Sequence, residues 1–417
     1  MDVKITPSNL TGTFYAPPSK SQAHRFLICA YLSGEKGIIN NIGTSKDVFA
    51  TLSALKSLGV VCKESVNNNG EVVFEKREVI NDNPTVNCFE SGSTLRFLLP
   101  VASALGIKCT FTGTERLLSR PNDKLIKVLN EHNADINGYA LNGKLTSGVF
   151  KIDASVSSQY ITGLLFSLPI LDGDSEIILE NDVVSKGYIT LTLDALQKFG
   201  ITITKIDNGF FVKGNQKYKF LNNLSVEGDF SSASFLLTAG AIGGKVTAKN
   251  LNYNSNQGDK KIIELLKEFG ANVEIKGNEI TVSKNERNAF NFNAKSTPDL
   301  IQIASVLACF ASRECKISGV DRLKIKESDR LKGIMDFLSK SGVKSKYLPD
   351  ELIIFPSNPV GNTFNGDNDH RTVMSECILS TYSRGNSTIL GAEAINKSYP
   401  DFFKDFTLLG GKTNVLF

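Results

Sequence analysis

Nine short segments between Pro17 and Asp401 carry hydroxyl residues, Gly or a carboxylate, and seven of them add Lys or Arg. Such sets suit small anions, because charge-assisted bonds from Lys and Arg are strong and a helix N-terminus adds positive potential. Pro17-Pro18-Ser19-Lys20-Ser21-Gln22-Ala23-His24-Arg25 precedes an apolar helix expected over Phe26–Leu32, so Lys20, Ser21 and Arg25 can address one anion. Taken alone, the segment also fits an N-capped surface helix with a solvated Lys. Glu90-Ser91-Gly92-Ser93-Thr94-Leu95-Arg96 places Gly between hydroxyls before a helix, where backbone N–H groups can approach a phosphate. Gly243-Gly244-Lys245-Val246 and Gly410-Gly411-Lys412-Thr413 are not Walker loops, since the earlier Gly is Ala239 or Phe406. No G-x-G-x-x-G occurs either, so a dinucleotide fold lacks its fingerprint.

Three more segments sit where helices should begin: Ser119-Arg120-Pro121, Ser157-Ser158-Gln159-Tyr160 ahead of Ile161–Leu168, and Ser185-Lys186-Gly187-Tyr188. Adjacent hydroxyls there can clamp a phosphate, or simply cap the helix. Thr297-Pro298-Asp299 precedes an apolar helix over Leu300–Phe310; Asp299 has a structural reason to sit there, and acts chemically only if something basic faces it. Arg322 to Arg330 holds six charges in nine residues, including Lys326 and Glu327, and leads into a helix over Leu331–Ser339. A solvated turn is the ordinary explanation of such a run. Asp369-His370-Arg371 and Asn396-Lys397-Ser398-Tyr399-Pro400-Asp401 complete the set.

The elements that must position these residues follow from a repeat. An amphipathic helix ends, Gly or Asn follows, and a short strand begins, at positions 59, 133, 200, 270, 342 and 410. The spacings are 74, 67, 70, 72 and 68, so six units of about 70 residues fill all 417. A residue able to adopt the left-handed conformation is what a helix end needs there, and a fixed period signals one supersecondary unit reused. The pattern predicts an α/β protein of two lobes, three units each.

Composition narrows the function. Hydrophobic residues make up 41% and charged residues 22%, enough for large cores. Lys and Arg number 47 against 43 Asp and Glu, a net charge of +4 with no basic stripe, so binding of nucleic acid is not expected. The N-terminus lacks a basic start followed by an apolar run, and no apolar stretch reaches the roughly 20 residues of a membrane span. A cytoplasmic protein without membrane attachment is expected. Seven scattered cysteines without C-x-x-C spacing read as free thiols. His24, His132 and His370 are too far apart to suggest a metal site.

In order, these segments resemble the motifs of the EPSP synthase (5-enolpyruvylshikimate-3-phosphate synthase) family of enolpyruvyl transferases. That family reads S-K-S-x-x-x-R, a Gly–Ser/Thr loop ending in Arg, R-P, S-S-Q, S-K-x-Y, P-D, K-E-[ST]-D-R, D-H-R and K-[ST]-x-P-D. All nine occur here between residues 19 and 401. Val226-Glu227-Gly228-Asp229-Phe230-Ser231-Ser232-Ala233 is similar to the family's return crossover.

The resemblance implies two lobes of three βαβαββ units. Residues 1–18 and 228–417 would form one and 19–227 the other, with crossovers near 18 and 227. It implies transfer of the enolpyruvyl group of phosphoenolpyruvate to the 5-hydroxyl of shikimate 3-phosphate, with release of phosphate. No metal or cofactor is involved, the lobes close on the substrates, and a monomer is expected. By matching position, Lys20, Ser21 and Arg25 bind substrate, with Lys20 also touching phosphoenolpyruvate. Gly92, Arg120 and Lys397 hold its phosphate; Arg330 and Arg371 fork onto its carboxylate. Ser157, Ser158, Ser185 and Lys326 hold the 3-phosphate, and Gln159 and Tyr188 line the ring. Asp299 takes the proton of the attacking hydroxyl, and Glu327 gives or removes a proton at the methylene carbon. Glu90 and Arg322 depart from the family pattern. Three other readings carry less weight. UDP-N-acetylglucosamine enolpyruvyl transferase would want a Cys within Gly113–Arg120, which has none. A non-catalytic phospholigand binder would not need Asp299, Glu327 and Lys20. An RNA-end-processing relative would want a basic stripe.

Overall fold

The computed structural model describes residues 1–65, 70–80, 83–221, 223–325 and 328–416, with only the backbone of Arg322 and Ile325. The sixfold period is a structural one. The described residues form six four-stranded sheets of one topology. In each, the first two strands are parallel and two antiparallel strands follow, joined as a hairpin in five of the six, as in Val149–Asp153 beside Ser175–Glu180 beside Gly209–Val212 beside Thr204–Ile206. A helix follows each of the first two strand positions, which gives the βαβαββ order. The residues that end each second helix, Gly59, Asn133, Gly200, Gly270, Gly342 and Gly410, all have positive φ, between 67° and 95°. That left-handed turn is what the sequence repeat registers.

The chain divides into two compact units, here called the split unit (Met1–Pro17 with Glu227–Phe417) and the inserted unit (Pro18–Val226). Each has its own hydrophobic core. The repeats are not contiguous in sequence. The first strand of the first sheet in the inserted unit is Asn223–Ser225, parallel to Gly37–Asn40. The first strand of a sheet in the split unit is Thr11–Tyr15, parallel to Lys245–Lys249. The sheet containing Ser387–Leu390 and Lys412–Val415 is completed by Val3–Thr6, antiparallel to both. Gly228 marks one crossover: a Cβ there would stand 2.0 Å from the Asn250 carbonyl, so only Gly permits the approach.

The first helix of each repeat is buried almost throughout. Phe230–Gly243 buries every residue from Phe230 to Ile242, and Gly92–Leu105 all but Ser93 and Leu105. Helices apolar on all sides belong in a core, and many of the candidate residues lie at their N-terminal turns. Others, including Ser185, Tyr188 and Arg330, lie at the starts of second helices. The second helices are more amphipathic, Asp123–Asn130 burying only Leu125, Val128 and Leu129. Boundaries differ from the sequence expectation in one respect that matters. Helices begin at Lys20, Ser158, Lys186 and Arg330, so several candidate residues belong to first turns rather than preceding loops. Ile201–Ile203, expected as strand, precedes the strand Thr204–Ile206.

Glu376 lies in the buried helix His370–Thr381. Burial, then the nearby Asp367 and Asp336, push its carboxyl well above the usual 4.5. A buried acid with a raised value binds its proton more tightly folded than unfolded. It therefore destabilises the fold increasingly as pH rises above about 4.5. Glu376→Gln should raise the unfolding free energy measured in urea at pH 8 by on the order of 1 kcal/mol, and the gain should vanish near pH 4. Equal gains at both values would contradict this.

Candidate active site

In the inserted unit, four helices bring N-termini to the candidate residues: Lys20–Ser33, Gly92–Leu105, Ser158–Ser167 and Lys186–Lys198. None has an acidic residue in its first turn. The second helices Lys46–Ser57 and Asp123–Asn130 do, with Asp47 and Asp123. The positive ends of the first set are thus left for an external anion.

Side chains tie these ends together. Arg25 donates from Nε to Thr192 (2.9 Å) and from its two Nη atoms to the carbonyls of Ser21 (2.6 Å) and Tyr188 (2.9 Å). Burial lowers its pKa to about 10, and it also lies over the rings of Phe97 and Tyr188. Each of its nitrogens already serves the protein, so Arg25 clamps helix Lys20–Ser33 to helix Lys186–Lys198, and only its remaining N–H bonds could reach a substrate. Arg96 does the same elsewhere, donating to Asn122 (2.8 Å), Gln159 Oε1 (2.7 Å) and the Pro121 carbonyl (3.0 Å). Gln159 in turn donates to Ser93 (2.9 Å). Arg96, noted in the sequence only as the end of a Gly loop, is therefore the residue that fixes Gln159 and the Arg120-Pro121 turn.

Gly92 and Arg120 meet closely. A Cβ on Gly92 would lie 2.7 Å from Arg120 Nη1 and 3.3 Å from Cζ. Arg120 Nε is buried with no hydrogen-bond partner among the described residues, a donor held out of water. Lys20 pairs with Asp47 at 2.9 Å, both side chains largely buried. Ser157 caps its helix by accepting from the Gln159 N–H at 3.3 Å, so the capping role is realised there. Ser158 is buried beside it. Ser185 is buried and left-handed at φ 54° and ψ 45°, an unusual setting for Ser and a local strain at a helix N-terminus. Glu90 is exposed. A buried chain also runs beneath the Gly92 loop, from His24 Nδ1 to Thr51, Thr94 and Ser91, each step 2.7 Å. Burial, then Lys20 and Arg25, hold His24 well below its usual pKa, so it is neutral.

The split unit gathers a second cluster, built on helix caps. Asp229, Asp329 and Asp369 each cap a helix by accepting a backbone N–H, from Ser231 (2.9 Å), Lys332 (3.0 Å) and Arg371 (2.9 Å). The caps place Ser231, Arg330 and Arg371 in first turns. Something basic does face Asp299. Arg330 Nη1 donates to its Oδ1 at 2.7 Å, and Arg371 Nη2 approaches its Oδ2 at 3.1 Å. Arg330 Nε also holds Asp369 at 2.8 Å, and Arg371 Nη1 donates to Ser231 at 2.5 Å. The two guanidinium groups thus make a fork around one carboxylate. That the fork would close on a carboxylate of the protein itself was not foreseen. Lys397 is buried and donates to the Asn368 carbonyl at 2.7 Å. Lys326 and Glu327 lie outside the described residues.

No motif singles out Asp259. It is buried and hydrogen-bonded to Ser231. Burial, then Asp299, raise its pKa to about 7 against the pull of Arg371. Its only sequence signal was a charge opening a helical stretch, which surface helices share. Among the described residues no group of three or more His, Cys, Asp or Glu is placed to hold a metal ion, and no helix is long and apolar enough to cross a membrane.

Repeated βαβαββ sheets with cationic first turns define the class, the two-unit enolpyruvyl transferase fold. Solved structures agree. EPSP synthase from Acinetobacter baumannii superposes with a TM-score of 0.81 at 22% identity, covering 99% of this chain and 100% of that one. The enolpyruvyl transferase NikO from Streptomyces tendae gives 0.79 at 14% identity, covering 99% and 98%. Residues 5–406 match the family model described as EPSP synthase (3-phosphoshikimate 1-carboxyvinyltransferase). Two proteins named 3-phosphoshikimate 1-carboxyvinyltransferase are each 40% identical to this chain. That of Clostridium novyi covers 98% of both chains, and that of Clostridium kluyveri 98% of this chain and 97% of its own. The chain belongs to the EPSP synthase family. The readings as a UDP-N-acetylglucosamine enolpyruvyl transferase or a non-catalytic binder fall away against these relatives.

Proposed function

We propose that this protein transfers the enolpyruvyl group of phosphoenolpyruvate to the 5-hydroxyl of shikimate 3-phosphate and releases phosphate. The observation that carries the reading is the fork of Arg330 and Arg371 around Asp299. Two planar guanidinium groups aimed at one point suit a carboxylate, and phosphoenolpyruvate brings one. In this reading the donor carboxylate takes up guanidinium donors now spent on Asp299, and Asp299 turns to the acceptor hydroxyl. Activation of the base would then await the donor.

The remaining roles are assigned by chemistry and by likeness to the family. Asp299 removes the hydroxyl proton as the oxygen attacks C2 of phosphoenolpyruvate, and Glu327 protonates C3. In the second step Glu327 takes a proton back from that carbon as phosphate leaves. Arg120, the backbone at Gly92 and Lys397 hold the departing phosphate. Lys20 touches both substrates, and Ser21 and Arg25 bind shikimate 3-phosphate. Ser157, Ser158, Ser185 and Lys326 take its 3-phosphate, and Gln159 and Tyr188 its ring. Fixed cations offset the repulsion of two polyanions without reorganising. We further propose that the protein is a cytoplasmic monomer.

The test is release of inorganic phosphate from phosphoenolpyruvate, dependent on shikimate 3-phosphate and not supported by UDP-N-acetylglucosamine. Absence of release would reject the reading. Since no role is given to a metal, excess EDTA should leave the rate unchanged; a loss restored by added Mg²⁺ or Zn²⁺ would require one.

A further inference from the structure

We propose that Asp259 takes up a proton from solvent when a carboxylate ligand engages Arg371, so that capture of phosphoenolpyruvate is linked to the protonation of this buried acid. The inference deepens the reading above and rests on it in one point, the assignment of the donor carboxylate to Arg371.

The geometry is a chain of contacts. Arg371 Nη1 donates to Ser231 Oγ at 2.5 Å, and Ser231 is in turn hydrogen-bonded to Asp259. The other terminal nitrogen of Arg371 meets Asp299 at 3.1 Å. Asp259 and the substrate fork therefore share one guanidinium. The groups that act on Asp259 come from separate elements: Asp229 and Ser231 from the start of helix Phe230–Gly243, Asp299 from the turn Pro298–Leu300, and Arg371 from helix His370–Thr381. On its own turn, Lys260 donates to the Ser255 carbonyl and Lys261 pairs with Glu264.

Arg371 is the only one of these charges that favours ionised Asp259. A carboxylate delivered to Arg371 sets a new negative charge against that cation. It thereby weakens its hold on ionised Asp259 and raises the acid's proton affinity from a starting point of about 7. Linkage then fixes the sign. Binding that takes up a proton weakens as pH rises through the free protein's value, by up to about tenfold per pH unit. Asp259 does not touch substrate in this account; it is a positioning residue, acting through Ser231 and Arg371.

The experiment is the pH dependence of kcat/KM for phosphoenolpyruvate between pH 6 and 9, at saturating shikimate 3-phosphate. Native protein should decline above pH 7. Asp259→Asn, a neutral mimic of the protonated acid, should keep the activity seen at low pH and lose the decline. Should that variant fold poorly, Ser231→Ala provides a second arm. The Ser231 bond favours ionised Asp259, so its removal should move the decline to higher pH. A flat native profile, or a decline that persists unchanged in Asp259→Asn, would overturn the proposal. Arg371→Gln separates the two ideas. If it leaves KM for phosphoenolpyruvate unchanged, the carboxylate assignment itself fails. If KM rises while the native profile is flat, only the linkage fails.

Discussion

Replacing Asp299 with Ala should lower kcat by about 10²- to 10⁴-fold, the range expected for loss of a positioned proton acceptor. The protein should remain folded, because Asp299 lies in a short turn and its neighbours Pro298 and Leu300 carry the local packing. Its loss does remove two guanidinium contacts, at 2.7 and 3.1 Å. Arg330 keeps Asp369, and Arg371 keeps Ser231, so neither cation is stranded. Both arginines are then unopposed at the fork. Affinity for phosphoenolpyruvate should therefore hold or improve while turnover collapses. Stopped-flow and steady-state phosphate release would separate the two effects. A kcat within threefold of native would remove Asp299 from the chemistry. Lower donor affinity with normal turnover would recast it as a support for the arginines.

Gly92→Ala should act on binding instead. The new methyl would stand 2.7 Å from Arg120 Nη1, closer than such atoms approach, so the guanidinium must move. A charge-assisted bond to the donor phosphate is worth about 1.5–3 kcal/mol, so KM for phosphoenolpyruvate should rise on the order of ten- to a hundredfold. Glyphosate, expected to compete with phosphoenolpyruvate, should lose inhibition at least as strongly. kcat should change little, since Arg120 is not assigned a proton. An unaltered KM would mean that Arg120 does not hold the phosphate. Undiminished activity of native protein at high glyphosate would argue against the shared phosphate position.

Much of this architecture was legible because one conformational demand recurs. Each second helix must stop and reverse into a strand, and Gly or Asn at positive φ marks the place in all six repeats. The strand exchanges were not legible. Asn223–Ser225 and Thr11–Tyr15 are short, and nothing local in them names a partner some 200 residues away. Site residues with charge or Gly in a loop stood out, as Lys20, Gly92, Arg120, Asp299, Arg330 and Arg371 did. Residues whose importance lies in what they hold did not. Arg96 is visible only through its bonds to Gln159 and Asn122. Ser231 and Asp259 look like an ordinary cap neighbour and an ordinary surface acid until burial brings them to Arg371. The fork on Asp299 escaped for a different reason. Motif spacing tells which groups serve a site, not which of them satisfy one another before a ligand arrives.

The completion of one sheet by Asn223–Ser225 has a consequence for biosynthesis. The ribosome releases Gly37–Asn40 nearly 190 residues before its parallel neighbour. Until then that strand presents bare N–H and C=O groups along one side, a template for pairing with another chain. The nascent protein must pass through this interval with an open flank. A message truncated before codon 223 would yield a product that cannot close it, prone to self-association even though almost all of the inserted unit's residues are present.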